Sequence, residues 1–257
     1  MASIARAKVT SRSVTGSASA ADAARGRWGP HDTLRVDRQI IAALFFALLM
    51  VFEVGYLGPG RRHTERLERW LRSRLTLSFY LVPVPYLVRA GLLVLYLDLT
   101  GVDLRPLLGL SVGAVVGMTA VVVILGVIAV RQRQLWRAAL MARPAETIAQ
   151  VLYLFVVVGI IEELIFRGAF LLAAGGTIFA LIGSSVACAA WHLPYYLREF
   201  GDRTPMALAT AFGASLAYGV LAVATGSLWP TILIHGGLDA AGQVGSMARW
   251  SPRPARA

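Results

Sequence analysis

Two adjacent glutamates and an arginine interrupt a very apolar part of the chain. The segment GIIEELIFRGAF places Glu162, Glu163 and Arg167 shortly after the run VLYLFVVV. A charged side chain costs about 2.5–3.5 kcal/mol at the centre of a membrane helix on insertion scales. Side chains that carry this cost need a partner or a chemical role, and carboxylates suit general acid–base catalysis.

Two histidines and one further acid stand in other apolar stretches. His192 lies in CAAWHLPYY, whereas His235 and Asp239 lie in HGGLD. Polar groups within a membrane must face the interior of the helix bundle and find partners there, so we expect these residues to converge. Carboxylates and imidazoles that meet in this way indicate a site for acid–base chemistry.

Helical spacing indicates how these motifs are arranged. Glu163 and Arg167 are four residues apart, so they are neighbours on one helix face in the favourable order. Glu162 is turned about 100° away from Glu163 and can face another partner. His235 and Asp239 are also four apart, and the glycines between them permit close approach of another helix.

Packing alone is an alternative for single residues, because an internal ion pair or a hydrogen-bonded histidine could account for any one of them. Packing accounts less well for four such residues on three helices, because each of them carries its own cost of burial. The four residues are Glu162, His192, His235 and Asp239. Glu53 and Arg89 also interrupt apolar runs, and for these two we expect packing or snorkelling.

The composition predicts an all-α, polytopic transmembrane helical bundle. Hydrophobic residues make up 57% of the 257 residues and charged residues only 15%, whereas about 25% of residues in soluble domains are charged. Seven stretches could supply the roughly 20 helical residues that one crossing needs. They are residues 39–58, 75–97, 107–130, 147–172, 177–197, 206–225 and 229–247. We expect about 7–8 membrane helices.

One or two interfacial amphipathic helices accompany the predicted spans. Within residues 61–75, apolar side chains recur at helical spacing among the arginines, at Leu67, Trp70, Leu71 and Leu75. This pattern is typical of a helix that lies in the headgroup plane. A cytoplasmic extension of a membrane helix is the alternative.

The excess of basic residues indicates a lipid partner rather than a nucleic acid. The chain has 25 Lys+Arg against 14 Asp+Glu, for a net charge of +11. These residues lie in the tails and between apolar runs, which suits anionic lipid headgroups. The preference for arginine over lysine is typical of a GC-rich bacterial genome. We therefore expect a multi-pass protein of a bacterial plasma membrane.

Three motifs in order make the chain resemble the CPBP intramembrane proteases. This family includes the type II CAAX prenyl endopeptidases and the bacterial abortive-infection proteins. Its pattern is E-E-x-x-x-R, then F-x-x-x-H, then H-x-x-x-N or H-x-x-x-D, each in a membrane helix. Here the motifs read Glu162-Glu163-Leu-Ile-Phe-Arg167, Cys188-Ala-Ala-Trp-His192 and His235-Gly-Gly-Leu-Asp239. Cys188 replaces the family's phenylalanine, and Asp239 replaces the asparagine of the prenyl-protease branch.

The composition and the resemblance together indicate a division of the chain into four regions. A protease core would occupy residues 147–247, and residues 39–146 would form the N-terminal membrane helices. Residues 1–38 would be a basic, disordered N-terminal tail, and residues 248–257 a basic C-terminal tail.

The resemblance also implies an endopeptidase that cuts at or within the membrane. Glu162 and His192 would activate a water molecule, as general base and positioning group. Glu163 and Arg167 would hold the helix and bind the peptide backbone. The substrate would be a membrane-associated or lipidated protein or peptide. The sequence itself requires no cofactor, and zinc is possible.

The last motif would stabilise the oxyanion of the tetrahedral intermediate. His235 would donate to that oxygen with the support of Asp239. An ionised Asp239 beside a developing negative charge would be unfavourable. We therefore expect Asp239 to orient His235 through one ring nitrogen or to be protonated.

Other chemistries and functions stay open. The same side chains could form the zinc site of a metalloprotease, with an open position for water, although no H-E-x-x-H motif occurs. This zinc set would be Glu162, His192, His235 and Asp239. A catalytically silent membrane regulator or immunity protein would keep the motifs for packing. A transporter or proton relay would use an acid–histidine chain, although no inverted repeat is evident.

Overall fold

The computed structural model describes residues 32–57, 66, 70, 83–172 and 174–250. These residues form helices and short connections, with no strand among them. The all-α prediction is therefore confirmed for this part of the chain. In order, its helices are α1 (Asp32–Leu57), α2 (Pro83–Thr100), α3 (Val112–Arg131), α4 (Arg133–Ala142), α5 (Pro144–Leu172), α6 (Ile178–Phe200), α7 (Thr204–Thr225) and α8 (Trp229–Trp250).

Four of the described helical stretches are long and apolar enough to cross a membrane. They are α3, α5, the part of α6 over Ile178–Leu197, and Gly201–Thr225, which contains α7. The apolar part of α1, Ile40–Tyr56, is shorter. These stretches support an integral membrane protein, whereas the count of 7–8 membrane helices stays a prediction.

Helix boundaries differ from the predicted ones on the N-terminal side. α1 begins at Asp32, inside the region predicted to be a disordered tail. α2 is described from Pro83 to Thr100, inside and just beyond the predicted stretch 75–97. The amphipathic helix predicted in residues 61–75 lies almost wholly outside the described residues, as do residues 75–82.

An aromatic cluster attaches α1 and α2 to the helices that carry the motifs. Phe45 of α1 stacks on Tyr96 of α2 with ring centroids 4.7 Å apart. Phe166 of α5 contacts Trp191 of α6 at 5.1 Å. All four side chains are buried in one apolar cluster. The apolar faces of α1 and α2 are therefore packed beside the first two motifs.

The glycines of HGGLD let α8 approach two other helices closely. A Cβ atom on Gly236 would lie 2.8 Å from the Cα of Phe155 in α5. A Cβ atom on Gly237 would lie 2.5 Å from Cδ1 of Leu125 in α3. Main-chain atoms of α5 cannot move aside easily, so only glycine permits this contact at residue 236. The predicted close approach is confirmed, and it brings His235 against α5.

α5 departs from regular α-helical geometry around the glutamates. Leu154–Gly159 and Leu164–Leu172 follow the wider i→i+5 hydrogen-bonding pattern of a π-helix. Between them, Ile160–Glu163 is α-helical. Single π-helical turns inside helices are frequent at functional sites. The two glutamates thus lie at a junction between irregular segments.

Candidate active site

The two carboxylate oxygens of Glu162 have different surroundings. Oε1 accepts a hydrogen bond of 2.9 Å from the hydroxyl of Tyr86 in α2. Oε2 faces two imidazoles, at 3.8 Å from Nε2 of His192 and 3.6 Å from Nε2 of His235. Both separations are too long for direct hydrogen bonds. Oε2 is buried and has no hydrogen-bond partner in the described part of the protein.

The orientation of His192 comes from the main chain of its own helix. Its Nδ1 lies 2.8 Å from the carbonyl oxygen of Cys188, one turn earlier in α6. A carbonyl only accepts, so Nδ1 donates and Nε2 is directed to Glu162. Tyr196 stacks on the imidazole at 5.5 Å. The cysteine in place of the family's phenylalanine leaves the Nδ1 contact intact, because the backbone supplies it.

His235 is oriented by Glu163. Its Nδ1 lies 2.7 Å from Oε1 of Glu163, and the ring of Tyr218 stacks on the imidazole at 5.5 Å. The same Oε1 is 3.0 Å from NH1 of Arg167, as the four-residue spacing predicts. Glu163 therefore links the arginine of its own helix to the histidine of α8.

Arg167 joins α5 to α7. Its NH2 donates to the hydroxyl oxygen of Ser215 at 2.9 Å and contacts the carbonyl oxygen of that residue at 3.3 Å. The guanidinium also lies 5.3 Å from the centroid of the Tyr218 ring. Arg167 is only 1% exposed. Its contacts support the predicted role in holding the helix but not the predicted binding of a peptide backbone.

Asp239 takes a different position from the one expected. Its Oδ2 lies 3.5 Å from Nε2 of His235, and its side chain is 43% exposed. Glu163, rather than Asp239, makes the hydrogen bond that orients the imidazole. The reason is the close packing of α8 on α5 at Gly236, which brings Nδ1 of His235 onto Glu163.

The structure brings all six predicted site residues together from three helices. Each has a charged or imidazole nitrogen or oxygen atom within 4 Å of another member of the set. They are Glu162, Glu163 and Arg167 on α5, His192 on α6, and His235 and Asp239 on α8. The convergence expected from burial cost is therefore present.

Two residues next to the site give no usable signal in the sequence. Tyr86 and Ser215 are ordinary residue types in apolar stretches, and they reach the site only through the packing of α2 and α7. Arg89, for which packing or snorkelling is expected, is packed: its guanidinium carbon lies 4.5 Å from the centroid of the Trp191 ring. It is buried and pairs with Glu53, with Nε 2.7 Å from Oε1.

The zinc alternative can be tested on the arrangement of the ligands. Among the residues that the structure describes, no group of three or more His, Cys, Asp and Glu side chains is arranged to hold a metal ion. The separations of 3.8, 3.6 and 3.5 Å among the side chains of the proposed zinc set leave that alternative a prediction, and no step below is routed through a metal.

Comparison with models of protein families finds a match over the C-terminal part of the chain. Residues 144–241 match the family model described as type II CAAX prenyl endopeptidase, Rce1-like. This range covers α5, α6, α7 and the part of α8 that carries His235 and Asp239, so it includes all six site residues. No curated protein and no solved structure matches the chain.

Proposed function

We propose that this chain is an intramembrane endopeptidase. The starting point is that it belongs to the Rce1-like type II CAAX prenyl endopeptidase family of the CPBP group. In this proposal Glu162 and His192 activate a water molecule that hydrolyses a peptide bond at or within the membrane. Membership of the family supports a protease of the CAAX type. The roles of individual residues are our proposal.

The observation that carries the proposal is the spacing around Oε2 of Glu162. Its distances to the two imidazole Nε2 atoms are 3.8 Å and 3.6 Å. One water molecule bridges gaps of this size with hydrogen bonds of about 2.8 Å. A water in that position would touch a carboxylate and two imidazoles, which are the groups that accept and return protons.

In the reaction, Oε2 of Glu162 takes a proton from the water as the water oxygen attacks the carbonyl carbon of the peptide. Nε2 of His192 accepts the other hydrogen of the water and orients its lone pair. The tetrahedral intermediate then collapses, the C–N bond breaks, and Glu162 returns its proton to the leaving nitrogen. The carboxylate is regenerated, and no covalent bond forms with the enzyme.

His235 would stabilise the oxyanion of the intermediate. Its Nδ1 is bonded to the Glu163 carboxylate, so Nε2 donates to the oxyanion when the ring carries both protons. Glu163 stabilises this imidazolium by its negative charge. Asp239 lies 3.5 Å from the same Nε2, so in this proposal it is protonated and adds no negative charge beside the oxyanion.

We further propose seven crossings, with α1, α2 and α8 added to the four long apolar stretches. Exposed apolar side chains on α1 and α2 support this count, because rows of such residues suit lipid tails. They include Leu44, Leu48 and Val51 on α1, and Leu87, Val94 and Leu99 on α2. The short helix α4 would lie at the interface.

The substrate would be a membrane-associated or lipidated protein or peptide. A site built between membrane helices is most readily reached by a chain that is already in or at the bilayer. A bacterial plasma membrane is the expected location, from the arginine-rich composition.

The test compares new peptide termini in membranes that carry the wild type or the Glu162→Gln variant at equal expression. Glutamine keeps the shape of the side chain and removes the base, which contributes about 10²–10⁴-fold. We expect cleavage sites that appear with the wild type and disappear with the variant. Identical termini in both membranes would contradict an endopeptidase and would favour the catalytically silent regulator.

A further inference from the structure

Tyr86 reaches the candidate site from outside the segment that defines the family. It lies on α2, whereas the matched family segment begins at residue 144. Its hydroxyl donates to Oε1 of Glu162 at 2.9 Å. Of the side chains that the structure describes, it is the one that makes a direct hydrogen bond to this carboxylate.

The ring of Tyr86 is held by an arginine on the same helix. The guanidinium carbon of Arg89 lies 4.2 Å from the centroid of the Tyr86 ring and 4.5 Å from that of Trp191 on α6. A guanidinium stacks well on aromatic faces, and the interaction is stronger away from water. Arg89 therefore fixes the tyrosine between α2 and α6.

A glutamate on α1 neutralises this arginine. Both Nε and NH2 of Arg89 bond to Oε1 of Glu53, with Nε at 2.7 Å. The two residues are 8% and 4% exposed. An unpaired charge in such a place would be costly, and Glu53 offsets the cost of burying the Arg89 guanidinium beside the tyrosine.

We propose that Tyr86 is a positioning residue for Glu162 and that the Glu53–Arg89 pair holds Tyr86 in place. This inference rests on the proposed function. The terminal torsion of a glutamate side chain is broad, so a carboxylate with no partner on Oε1 turns more freely. With Tyr86 on Oε1, the carboxylate plane is fixed and Oε2 is directed to the two imidazoles. α1 and α2 thereby complete a site whose reacting groups lie on α5, α6 and α8.

The first test removes one oxygen atom with Tyr86→Phe. The matched control is Tyr96→Phe, which removes a hydroxyl from the same helix about 15 Å farther along its axis. Infrared difference spectra against Glu162→Gln isolate the carboxylate bands of Glu162. We expect Tyr86→Phe to shift these bands and Tyr96→Phe to leave them in place. Unshifted bands in Tyr86→Phe would overturn the inference, whatever the catalytic activity.

The same variants are compared in cleavage of a peptide that spans a Glu162-dependent cleavage site. Loss of a hydrogen bond to a charged group predicts a fall in kcat of about tenfold for Tyr86→Phe. KM should stay within about twofold, since Tyr86 acts on the base and not on the substrate. Tyr96→Phe should match the wild type. A kcat of Tyr86→Phe equal to that of the wild type would contradict the inference.

The role of Arg89 is tested by a double-mutant cycle with Arg89→Lys, which keeps the charge and loses the flat guanidinium. If Arg89 acts through Tyr86, its substitution lowers kcat in the wild type and changes it little in Tyr86→Phe. Equal losses in the two backgrounds would show that Arg89 acts independently, and would overturn that part of the proposal.

The outcomes separate this inference from the proposed function. If Glu162→Gln leaves cleavage unchanged, the proposed function fails. If Glu162→Gln abolishes cleavage while Tyr86→Phe keeps both the infrared bands and kcat of the wild type, the proposed function stands and the positioning role fails.

Discussion

Two buried glutamate–arginine pairs adjoin the candidate site, and they are built differently. Glu163 and Arg167 are one turn apart on α5, with NH1 3.0 Å from Oε1. Glu53 and Arg89 come from two helices, with Nε 2.7 Å from Oε1. The first pair holds His235 directly, whereas the second contacts the site through the ring of Tyr86. We call Glu163–Arg167 the inner pair: its members are close in sequence and one of them contacts His235. We call Glu53–Arg89 the outer pair: its members come from different helices and reach the site only through Tyr86.

This difference determines how a substitution in each pair affects the site. Glu163 uses one oxygen atom for both the arginine and the histidine, so a change in either the charge or the position of that oxygen reaches His235. Arg89 contacts two aromatic faces as well as Glu53, so its influence is on the placement of rings. We therefore expect both pairs to be needed for stability, the inner pair for the chemistry as well, and the outer pair for the placement of the aromatic rings.

The largest effect expected is on stability when one member of a pair is removed. Arg167→Met should lower the free energy of unfolding by about 3–5 kcal/mol, because it removes the cation of a fully buried ion pair and leaves Glu163 with His235 alone. Arg89→Met should cost about the same by leaving Glu53 unpaired. Unfolding in mixed detergent micelles measures both. A loss below 1 kcal/mol in Arg167→Met would contradict the account of the inner pair.

Neutral replacements of both partners sharpen the comparison. A buried ion pair replaced by neutral groups often costs little, so Glu53→Gln combined with Arg89→Met should recover most of the lost stability. Glu163→Gln combined with Arg167→Met should recover stability as well. Cleavage should recover in part only for the outer pair, because a glutamine at residue 163 no longer stabilises the charged form of His235. Equal recovery of cleavage in both would contradict the distinction.

The contrast between the pairs also shows what the sequence can predict. An i,i+4 pair follows from helical spacing, and the motifs on α5, α6 and α8 stand out because charges are rare in apolar runs. Tyr86 and Ser215 carry no such signal, because a tyrosine or serine in a membrane helix is common. Their contacts depend on how α2 and α7 pack against the other helices. The residue pattern within a single helix does not determine that packing.

Asp239 shows that the contacts between helices are not predictable even for a residue that the sequence does identify. Its spacing to His235 correctly predicts that the two are neighbours, at 3.5 Å. The spacing does not reveal that α8 packs so closely on α5 that Glu163 takes Nδ1. The partner of a histidine on one helix is decided by the helix against which it packs.

A smaller effect is expected from altering the packing that joins α8 to the inner pair. Gly236→Ala places a Cβ atom 2.8 Å from the Cα of Phe155, so α8 must shift away from α5. We expect a loss of stability of about 1–3 kcal/mol and slower cleavage. The control is Gly242→Ala on the same helix, where a Cβ atom meets nothing within 4 Å.

Thermal or detergent unfolding and the peptide cleavage assay distinguish the two glycine variants. Gly242→Ala should match the wild type within about 0.5 kcal/mol. A Gly236→Ala variant as stable and as active as Gly242→Ala would show that the close contact of α8 and α5 is not needed to orient His235.

The central claim is that Glu162 activates water and does not itself attack the peptide. Single-turnover cleavage in H₂¹⁸O, with enzyme in excess over a peptide that spans an identified cleavage site, tests it most directly. The account predicts ¹⁸O in the new carboxyl terminus in the first turnover, and none in the Glu162 side chain. An unlabelled first product, followed by ¹⁸O in Glu162, would contradict it, because the carboxylate would then have bonded to the carbonyl carbon.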